Sequence, residues 1–358
     1  MQFIRNHRII VLLVVGISSL FWIFSCDDKP FEPVEPKDYP FYLTEDGSNQ
    51  LFVFHPISKK LDSMKTPWNV DAPVTVSADG KLLYVALGTS VLVVETDSLT
   101  TVNELFYQNF GPVAVSPDNK LLATLGGDLY ILRTSDYSVV FSDTNELIYS
   151  GGNFSSDSKT FYCASRRDLD SIHVVYKVDL SDSTFPITRK GFPYGAVTEI
   201  IPSIDESKWF LYLHIGLWTY SFEVYDVIQD SIIFRDVLVP GAGYHAASPD
   251  GKYVFYTGPG RCGDGPPPDP SFKIHDVEKN AIEAVFTDSA YFCAGQVCVA
   301  PRDLAISPDS RWLGILGGDA CLRPEFYVYD IKKSKIVFRV GLDTGLRLFR
   351  NISTQKKR

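Results

Sequence analysis

Two stretches about 190 residues apart, "VAVSPDNKLLATLGGDLYIL" (residues 113–132) and "LAISPDSRWLGILGGD" (residues 304–319), have nearly the same sequence. Each contains a short apolar run, a Ser-Pro-Asp turn followed by a cation, a second apolar run and Gly-Gly-Asp. In a type I turn, Ser at the first position bonds back to the backbone, Pro at the second sets φ to about −65°, and Asp suits the third. The pattern therefore predicts two antiparallel strands joined by a tight turn.

The same Ser-x-Asp turn recurs along the chain. It begins at Ser77, Ser116, Ser155, Ser203, Ser248 and Ser307, at intervals of 39 to 59 residues. Two further strand-like runs follow each copy, for example "HVVYKVDL" and then "STFPIT", so each repeat supplies four strands. A period near 40 residues with strand-like flanks is the signature of β-propeller blades.

A seventh, partial unit precedes the six complete ones. Residues 40–64 provide its second to fourth strands, and "GLRLFRNI" (residues 345–352) supplies the missing inner strand from the other end of the chain. Pairing the two termini closes the ring without an open edge. We therefore predict an all-β, seven-bladed propeller over residues 40–353, followed by a basic tail at 354–358. Two separate β-sandwiches are the alternative.

The repeats resemble those of the YVTN and WD-repeat-like propellers over roughly residues 40–352. The "SPDG-K" strands carry this resemblance, as in "ASPDGKYVFYT". The Gly-His and Trp-Asp dipeptides of true WD repeats are absent, which favours the bacterial YVTN-like branch. The resemblance implies the propeller fold and names no activity.

The first 25 residues have the features of an export signal. Arg5 and Arg8 precede an uncharged run from Ile9 to Phe24, which is short for a membrane-spanning helix and suitable for a signal peptide. The run ends in "IFSC", which resembles the lipobox of bacterial lipoproteins and makes Cys26 the expected lipidation site. Residues 26–39, rich in Pro and charge, are typical of an extended tether. An uncleaved anchor and plain secretion stay open as alternatives.

Composition limits the partners. The net charge is −9, so an acidic body disfavours nucleic acid as the main partner. The motifs of nucleophilic hydrolases, zinc proteases, phosphate-binding loops and dinucleotide-binding folds are missing from the sequence. We expect no cofactor and no metal, and we expect a monomer.

Long insertions collect in blades 6 and 7, at residues 258–270, around 288–302 and at "ACLRPE" (residues 320–325). Insertions confined to one face of a repeat protein usually mark where it binds, although loop drift without selection gives the same pattern. The residues expected to form this binding face are Arg261, Tyr291, Phe292, Arg302 and Arg323.

Four cysteines lie in the same insertions, and an exported protein meets an oxidising compartment, so two disulfides are expected. Our preferred pairing is Cys262–Cys321 and Cys293–Cys298. A four-thiolate zinc site is the alternative, although the spacing is not that of two close cysteine pairs. Cys163, within "TFYCAS", is expected to be a buried strand thiol.

The candidate catalytic residues are His245, Glu199, Arg302 and Asp303, which the repeat places at equivalent positions near the central channel. Converging polar groups at a channel mouth are the usual first hypothesis for a site. The alternative is that polar residues simply line a hydrated channel.

These features predict a lipid-anchored binding or scaffolding module of the cell envelope, on the periplasmic side or the cell surface. Its partner would be an envelope protein or a glycan bound by the inserted loops. The alternative is a propeller enzyme of lactonase or dehydrogenase type that uses the funnel around His245. That alternative rests on fold-level analogy.

Overall fold

The structure is a computed structural model. It describes residues 38–45, 49–66, 74–87, 89–106, 110–144, 148–166, 173–192, 195–216, 219–238, 245–257, 271–287, 293–294, 297–298, 300–319, 323–341 and 349–354. Within these ranges the secondary structure consists of strands and turns. No helix in this part of the chain is long and apolar enough to cross a membrane.

The strands form seven four-stranded antiparallel sheets and one short hairpin. Each sheet is one blade. Blade 1 contains β1 (Phe41–Glu45), β2 (Gln50–His55) and β3 (Lys60–Lys65). Blade 2 contains β4 (Val74–Val76), β5 (Leu82–Ala86), β6 (Ser90–Glu95) and β7 (Thr100–Phe106). Blade 3 contains β8 (Phe110–Val115), β9 (Leu121–Gly126), β10 (Leu129–Arg133) and β11 (Val139–Asp143).

Blades 4 and 5 follow in the sequence. Blade 4 contains β12 (Ile148–Phe154), β13 (Thr160–Arg166), β14 (His173–Asp179) and β15 (Ile187–Phe192). Blade 5 contains β16 (Ala196–Pro202), β17 (Lys208–Gly216), β18 (Thr219–Asp226) and β19 (Ser231–Leu238).

The last two blades flank the small hairpin. Blade 6 contains β20 (His245–Ala247), β21 (Tyr253–Thr257), β22 (Ser271–Asp276) and β23 (Ala281–Thr287). The hairpin is β24 (Cys293–Ala294) and β25 (Val297–Cys298). Blade 7 contains β26 (Ala300–Ile306), β27 (Trp312–Asp319), β28 (Arg323–Asp330) and β29 (Lys335–Gly341). Gly317, Gly318 and Asp319 extend β27 because they pair with the start of β28.

The ring closes by pairing the two ends of the chain. The final strand, β30 (Phe349–Thr354), lies antiparallel to β1, with Phe41 opposite Thr354 and Leu43 opposite Ile352. The predicted seven-bladed architecture and its closure by the termini are therefore confirmed, and the closing strand lies a few residues later than the expected 345–352. Joining the ends in one sheet removes the two exposed edges that an open ring would leave.

The Ser-x-Asp turns explain why the repeat keeps these residues. In every one of the six turns the Ser hydroxyl donates to the Asp carboxylate over 2.6–2.8 Å. The same Ser oxygen accepts a bond from the backbone N–H five residues later, as from Leu121 to Ser116 at 2.9 Å. The Asp carboxylate accepts from the backbone N–H two residues after it, as from Lys120 to Asp118 at 3.1 Å. Two side chains thus satisfy the backbone of a hairpin that water would otherwise solvate.

Left-handed backbone appears at the same places in the blades. The residue after the Asp has a positive φ in all six turns, at Gly80, Asn119, Ser158, Glu206, Gly251 and Ser310. The hairpin between the third and fourth strands places another such residue in each of the seven blades, at Lys59, Leu99, Tyr137, Phe185, Asp230, Asn280 and Ser334. Gly and Asn adopt this conformation readily, but Ser158, Glu206 and Ser310 do so because the surrounding hydrogen bonds require it.

The apolar core is divided among the blade interfaces. Seven clusters of buried side chains each combine residues of two neighbouring blades. At the closure, Phe54 of blade 1 stacks on Phe338 of blade 7 at 4.2 Å and meets Phe326 edge-on at 5.3 Å. Cys163 is a fully buried free thiol in the interface of blades 3 and 4, as expected, and burial raises its pKa.

Strand direction defines two faces. In blades 2 to 7 the inner strand runs into a Ser-x-Asp turn, and in every blade the third strand runs into its hairpin. Both kinds of turn therefore lie on one face, which we call the turn face. The loops between second and third strands and the connections between blades lie on the opposite face, which we call the loop face. The described strand ends Thr257, Ser271 and Thr287, which flank the long connections in the sequence, lie on the loop face.

Candidate functional site

His245 begins the inner strand of blade 6 and lies in the interface between blades 5 and 6. Its side chain is completely buried, and its ring lies between Tyr212 at 5.8 Å and Phe222 at 6.2 Å. The ring of Tyr212 is stacked on it at an interplanar angle of 19°. The imidazole is therefore packed between two blades, whereas the sequence placed it in the wall of a funnel.

Glu199 is the carboxylate that approaches His245. Its Oε2 lies 3.2 Å from His245 Nδ1, and about a third of its side chain is exposed (35%). Glu199 comes from the inner strand of blade 5, next to a register shift between Val197 and Glu199. It reaches this position beside Gly151 of blade 4, where an added Cβ would lie 3.1 Å from its Cγ. The structure thus brings together two of the four residues that the sequence singled out.

The electrostatics make His245 a neutral side chain. Burial lowers its pKa to about 3, and a backbone contact with Phe210 opposes the shift only in part. Neither ring nitrogen makes an aligned hydrogen bond with a described residue, so the contact to Glu199 is close but poorly directed. Such an imidazole is a weak base, and a general base needs a pKa near the working pH and access to its substrate.

The other two candidates lie in β26 of blade 7. The carboxylate of Asp303 accepts a hydrogen bond from the backbone N–H of Leu304 at 2.8 Å. The backbone of Arg302 lies at the register shift between Pro301 and Asp303, and its side chain is outside the described part of the chain. The contacts that the structure gives do not join either residue to His245.

Most of the expected binding face falls outside the described residues. Arg261, Tyr291 and Phe292 lie there, and Arg323 is described only as the first backbone position of β28. Cys26, Cys262 and Cys321 also lie outside. Cys293 and Cys298 are directly opposite each other in the β24–β25 hairpin. Among the residues that are described, no group of three or more His, Cys, Asp or Glu side chains is placed to hold a metal ion.

Sequence reasoning missed a buried polar group on the outer side of the same interface. Asp236 of blade 5 forms an ion pair with Lys273 of blade 6 at 2.6 Å and accepts a bond from Tyr256 at 2.8 Å. Both charged side chains are more than four-fifths buried. Close by, His275 is fully buried against Phe234 at 4.5 Å, and burial lowers its pKa to about 4. These side chains lie in ordinary alternating strands, so no local motif marks them.

The sequence did not predict a groove of about 380 Å³ that lies between blades 4 and 5. The groove lies towards the turn face, where Glu206 of a Ser-x-Asp turn and Val227 of a hairpin contribute to its wall. Tyr162 and Trp209 form its aromatic side, and their rings meet edge to face at 5.7 Å. The local signal available in the sequence was a lysine, Lys177, inside the otherwise apolar strand "HVVYKVDL".

Comparisons with known proteins agree with this architecture. No protein-family model and no curated protein sequence matches the chain. Among solved structures, the chain is similar to a protein of unknown function from Desulfotomaculum acetoxidans, with a TM-score of 0.66, 13% identity and coverage of 89% of this chain and 100% of the other.

The β-propeller domain of Cps50 (Swd1) from Myceliophteria thermophila gives a TM-score of 0.63 at 12% identity, covering 80% of this chain and 90% of the other. Hydrazine synthase of Kuenenia stuttgartiensis gives 0.61 at 16% identity, covering 77% and 88%. Identities this low establish the fold alone, and the names of these neighbours range from a propeller domain to an enzyme. The chain is therefore a seven-bladed β-propeller, in a fold that serves unrelated functions.

Proposed function

We propose that this protein is a lipid-anchored binding or scaffolding module of the cell envelope. It acts as a monomer and holds a protein or glycan partner on its loop face. Cys26 carries the lipid at the start of the tether, residues 26–39, and the YVTN-like propeller is the binding body.

The main observation behind the proposal is that the turns of one face are regular, whereas the connections of the other face vary in length. On the turn face, the same Ser and Asp hydrogen bonds recur in six blades. On the loop face, second strands and third strands are joined by two residues in blade 3 but by thirteen in blade 6, and blades 6 and 7 are connected through an added hairpin. A rigid scaffold with variation concentrated in one sector of one face is typical of a binding surface.

The cysteines of the loop face support the same proposal. Cys293 and Cys298 oppose each other across a hairpin with a two-residue turn, a register compatible with a cross-strand disulfide. Together with a Cys262–Cys321 bridge, this disulfide would hold the long loops in a defined shape and reduce the entropy lost when a partner binds.

The experiment is crosslinking in intact envelopes followed by affinity purification of the full chain. It compares the natural protein with a variant in which residues 258–270 are replaced by Gly-Gly-Asp. The matched control replaces residues 167–172, the blade 4 loop on the same face, by the same tripeptide. We expect the 258–270 variant to lose its crosslinked partner and the control to keep it. An unchanged partner in both variants would contradict a role for the inserted sector.

An enzyme is the second candidate because Glu199 approaches His245 at 3.2 Å. The buried, neutral imidazole argues against it, since a substrate has to reach a catalytic base. A His245→Phe variant decides between the two, because it removes the base and keeps the packing. Loss of hydrolysis of a lactone substrate, with the fold intact by circular dichroism, would favour the enzyme.

A further inference from the structure

The groove between blades 4 and 5 is lined by a lysine side chain at a position where the other blades have an aliphatic residue. Lys177 occupies a position on the third strand of blade 4 that the strand register makes equivalent in all blades. The other six blades have Val or Ile there: Val53, Val93, Ile131, Val224, Ile274 and Val328. Five of these six side chains are buried in the blade interfaces. A lysine in such a column is unfavourable for packing, which suggests a role other than stability.

Lys177 has no acidic partner within ion-pair distance among the described residues. Its Nζ lies over the ring of Tyr162, 5.8 Å from the ring centre. The second lysine of the groove, Lys190, differs because its Nζ lies 2.5 Å from Asp230. The groove therefore offers one half-buried ammonium group whose main contact is an aromatic face.

The carboxylates around the groove already accept hydrogen bonds. Glu206 accepts from the hydroxyl of Tyr162, and Asp230 accepts from Lys190 and from the hydroxyl of Tyr225. Asp179 accepts from the backbone N–H of Ser181 at 2.9 Å and from its hydroxyl at 2.6 Å. Each of these carboxylates accepts bonds from other groups, and Asp179 interacts with Lys177 only through charge, without an ion pair, so the Lys177 ammonium group can bind a ligand.

A second unused donor lies on the wall of the groove. Trp209 is 6% exposed, and its Nε1 makes no aligned hydrogen bond with any described residue, although the hydroxyl of Tyr162 is close to it. A buried N–H without a well-aligned partner is unfavourable, and a ligand acceptor would satisfy it. A carboxylate would supply that acceptor next to Lys177.

The surroundings of the groove favour a peptide over a sugar. A glycan would need an exposed aromatic face, but the rings of Tyr162, Trp209 and Tyr225 cover one another and are nearly buried. The exposed apolar groups at this end of blade 5 are aliphatic instead. Ile228 is 84% exposed, Ile204 52% and Val227 37%, and Val227 also lines the groove. Exposed aliphatic side chains beside a pocket are typical of surfaces that bind protein.

From these contacts we infer that the groove between blades 4 and 5 is a second binding site, on the turn face, for a protein segment that presents an acidic side chain next to an aliphatic one. The acidic side chain binds Lys177 and the Trp209 N–H, and the aliphatic neighbour packs on Val227 and Ile228. This site lies on the face opposite the inserted loops, so it does not depend on the proposed function of those loops.

The test is selection from a random dodecapeptide display library on the full chain in detergent. We expect the selected peptides to combine Asp or Glu with Leu, Ile or Val. Their affinity should fall about tenfold or more for Lys177→Glu, because attraction becomes repulsion, and also for Ile228→Asp. Lys252→Glu, the same charge change on an exposed lysine of the turn face in blade 6, should leave the affinity unchanged.

Ile228→Asp protects the test against misfolding, since that side chain is almost fully in solvent. Three results would overturn the inference: enriched peptides without acidic residues, equal binding to the Lys177→Glu and natural proteins, or no enrichment at all. Polygalacturonate binding that depends on Lys177, without peptide binding, would replace the peptide with an acidic glycan.

Discussion

On one side of blade 5, Phe222 is fully buried, stacks on Tyr256 at 4.3 Å and packs beside His245. On the other side, the interface also has a buried core, but Trp209 and Lys177 border a groove of about 380 Å³ towards the turn face, and we call this the open interface. Blade 5 contributes to both interfaces, and its antiparallel strands direct alternate side chains to one interface and to the other. The difference teaches that strand pairing makes a blade interface, while the individual side chains decide whether it is filled or open.

Each interface also holds a polar group that the fold does not satisfy. In the filled interface the imidazoles of His245 and His275 are such groups, and in the open one it is the indole N–H of Trp209. The His245 side chain is fully buried, so it acts on stability, whereas Trp209 forms part of the wall of the groove. Four measurements follow, from the largest expected effect to the smallest.

The strongest contrast is between Phe222→Ala and Ile228→Ala. Removing Phe222 leaves a cavity in the filled interface and should lower the free energy of unfolding by about 4 kcal/mol. Removing the exposed Ile228 beside the open interface should change it by less than about 0.5 kcal/mol. Urea unfolding followed by fluorescence measures both, and similar losses for the two variants would mean that the interfaces do not differ as described.

Acid should weaken the filled interface first. Burial holds the pKa of His245 at about 3 and of His275 at about 4, below the unfolded value of about 6.5. The unfolded chain therefore binds more protons below pH 6.5, and the stabilising contribution of the neutral imidazoles, complete above that pH, is lost as the pH falls. Between pH 7 and pH 5 each histidine should remove about 2 kcal/mol.

Urea unfolding at both pH values measures this loss, and His245→Phe supplies the control because it should remove about half of the dependence. A pH dependence that is identical in the variant would show that His245 is charged or solvated in the folded protein.

Trp209→Phe tests the open interface and should lower the free energy of unfolding by about 1 kcal/mol, because the lost N–H has no aligned partner but a nearly buried side chain loses ring atoms. If the groove binds an acidic segment, the same change should weaken selected peptides several-fold. Isothermal titration with one such peptide measures it, and unchanged affinity would remove the indole N–H from the site.

At pH 7, His245→Phe should change the free energy of unfolding by less than about 1 kcal/mol. The phenyl ring keeps the stacking with Tyr212 and removes two nitrogens without aligned partners, and replacing an unsatisfied polar group by an apolar one of similar shape is nearly neutral. Thermal unfolding checks this, with His245→Ala as the destabilised reference. A large loss in the Phe variant would mean that the contact with Glu199 stabilises the fold.

Lipidation is tested separately from these interfaces. Cys26→Ser should abolish incorporation of radiolabelled palmitate and move the protein from the membrane to the soluble fraction, because the thiol is the proposed acylation site. Ser25→Ala is the control and should retain the label. Retained labelling in Cys26→Ser would place the lipid elsewhere.

The sequence by itself determined the repeat, the number of blades and the closure of the ring, because each of these depends on local patterns. A Ser-x-Asp turn satisfies its own backbone, and alternating strands define their own buried face. Even the incomplete unit at residues 40–64 points to its missing strand, since a sheet edge has to be paired. The sequence treated Glu199 and His245 as equivalent positions of neighbouring inner strands, but the strand register aligns His245 with Ile200, one residue from Glu199.

Only the tertiary structure decided which of these positions are exposed. His245 is sealed because Tyr212 and Phe222 fill the space around it, while Lys177 stands beside a groove because its neighbours across the interface leave a volume unfilled. Burial and cavity shape depend on side chains from two blades that are distant in sequence. The sequence pattern of a single strand therefore predicts neither the burial of a side chain nor the shape of a cavity.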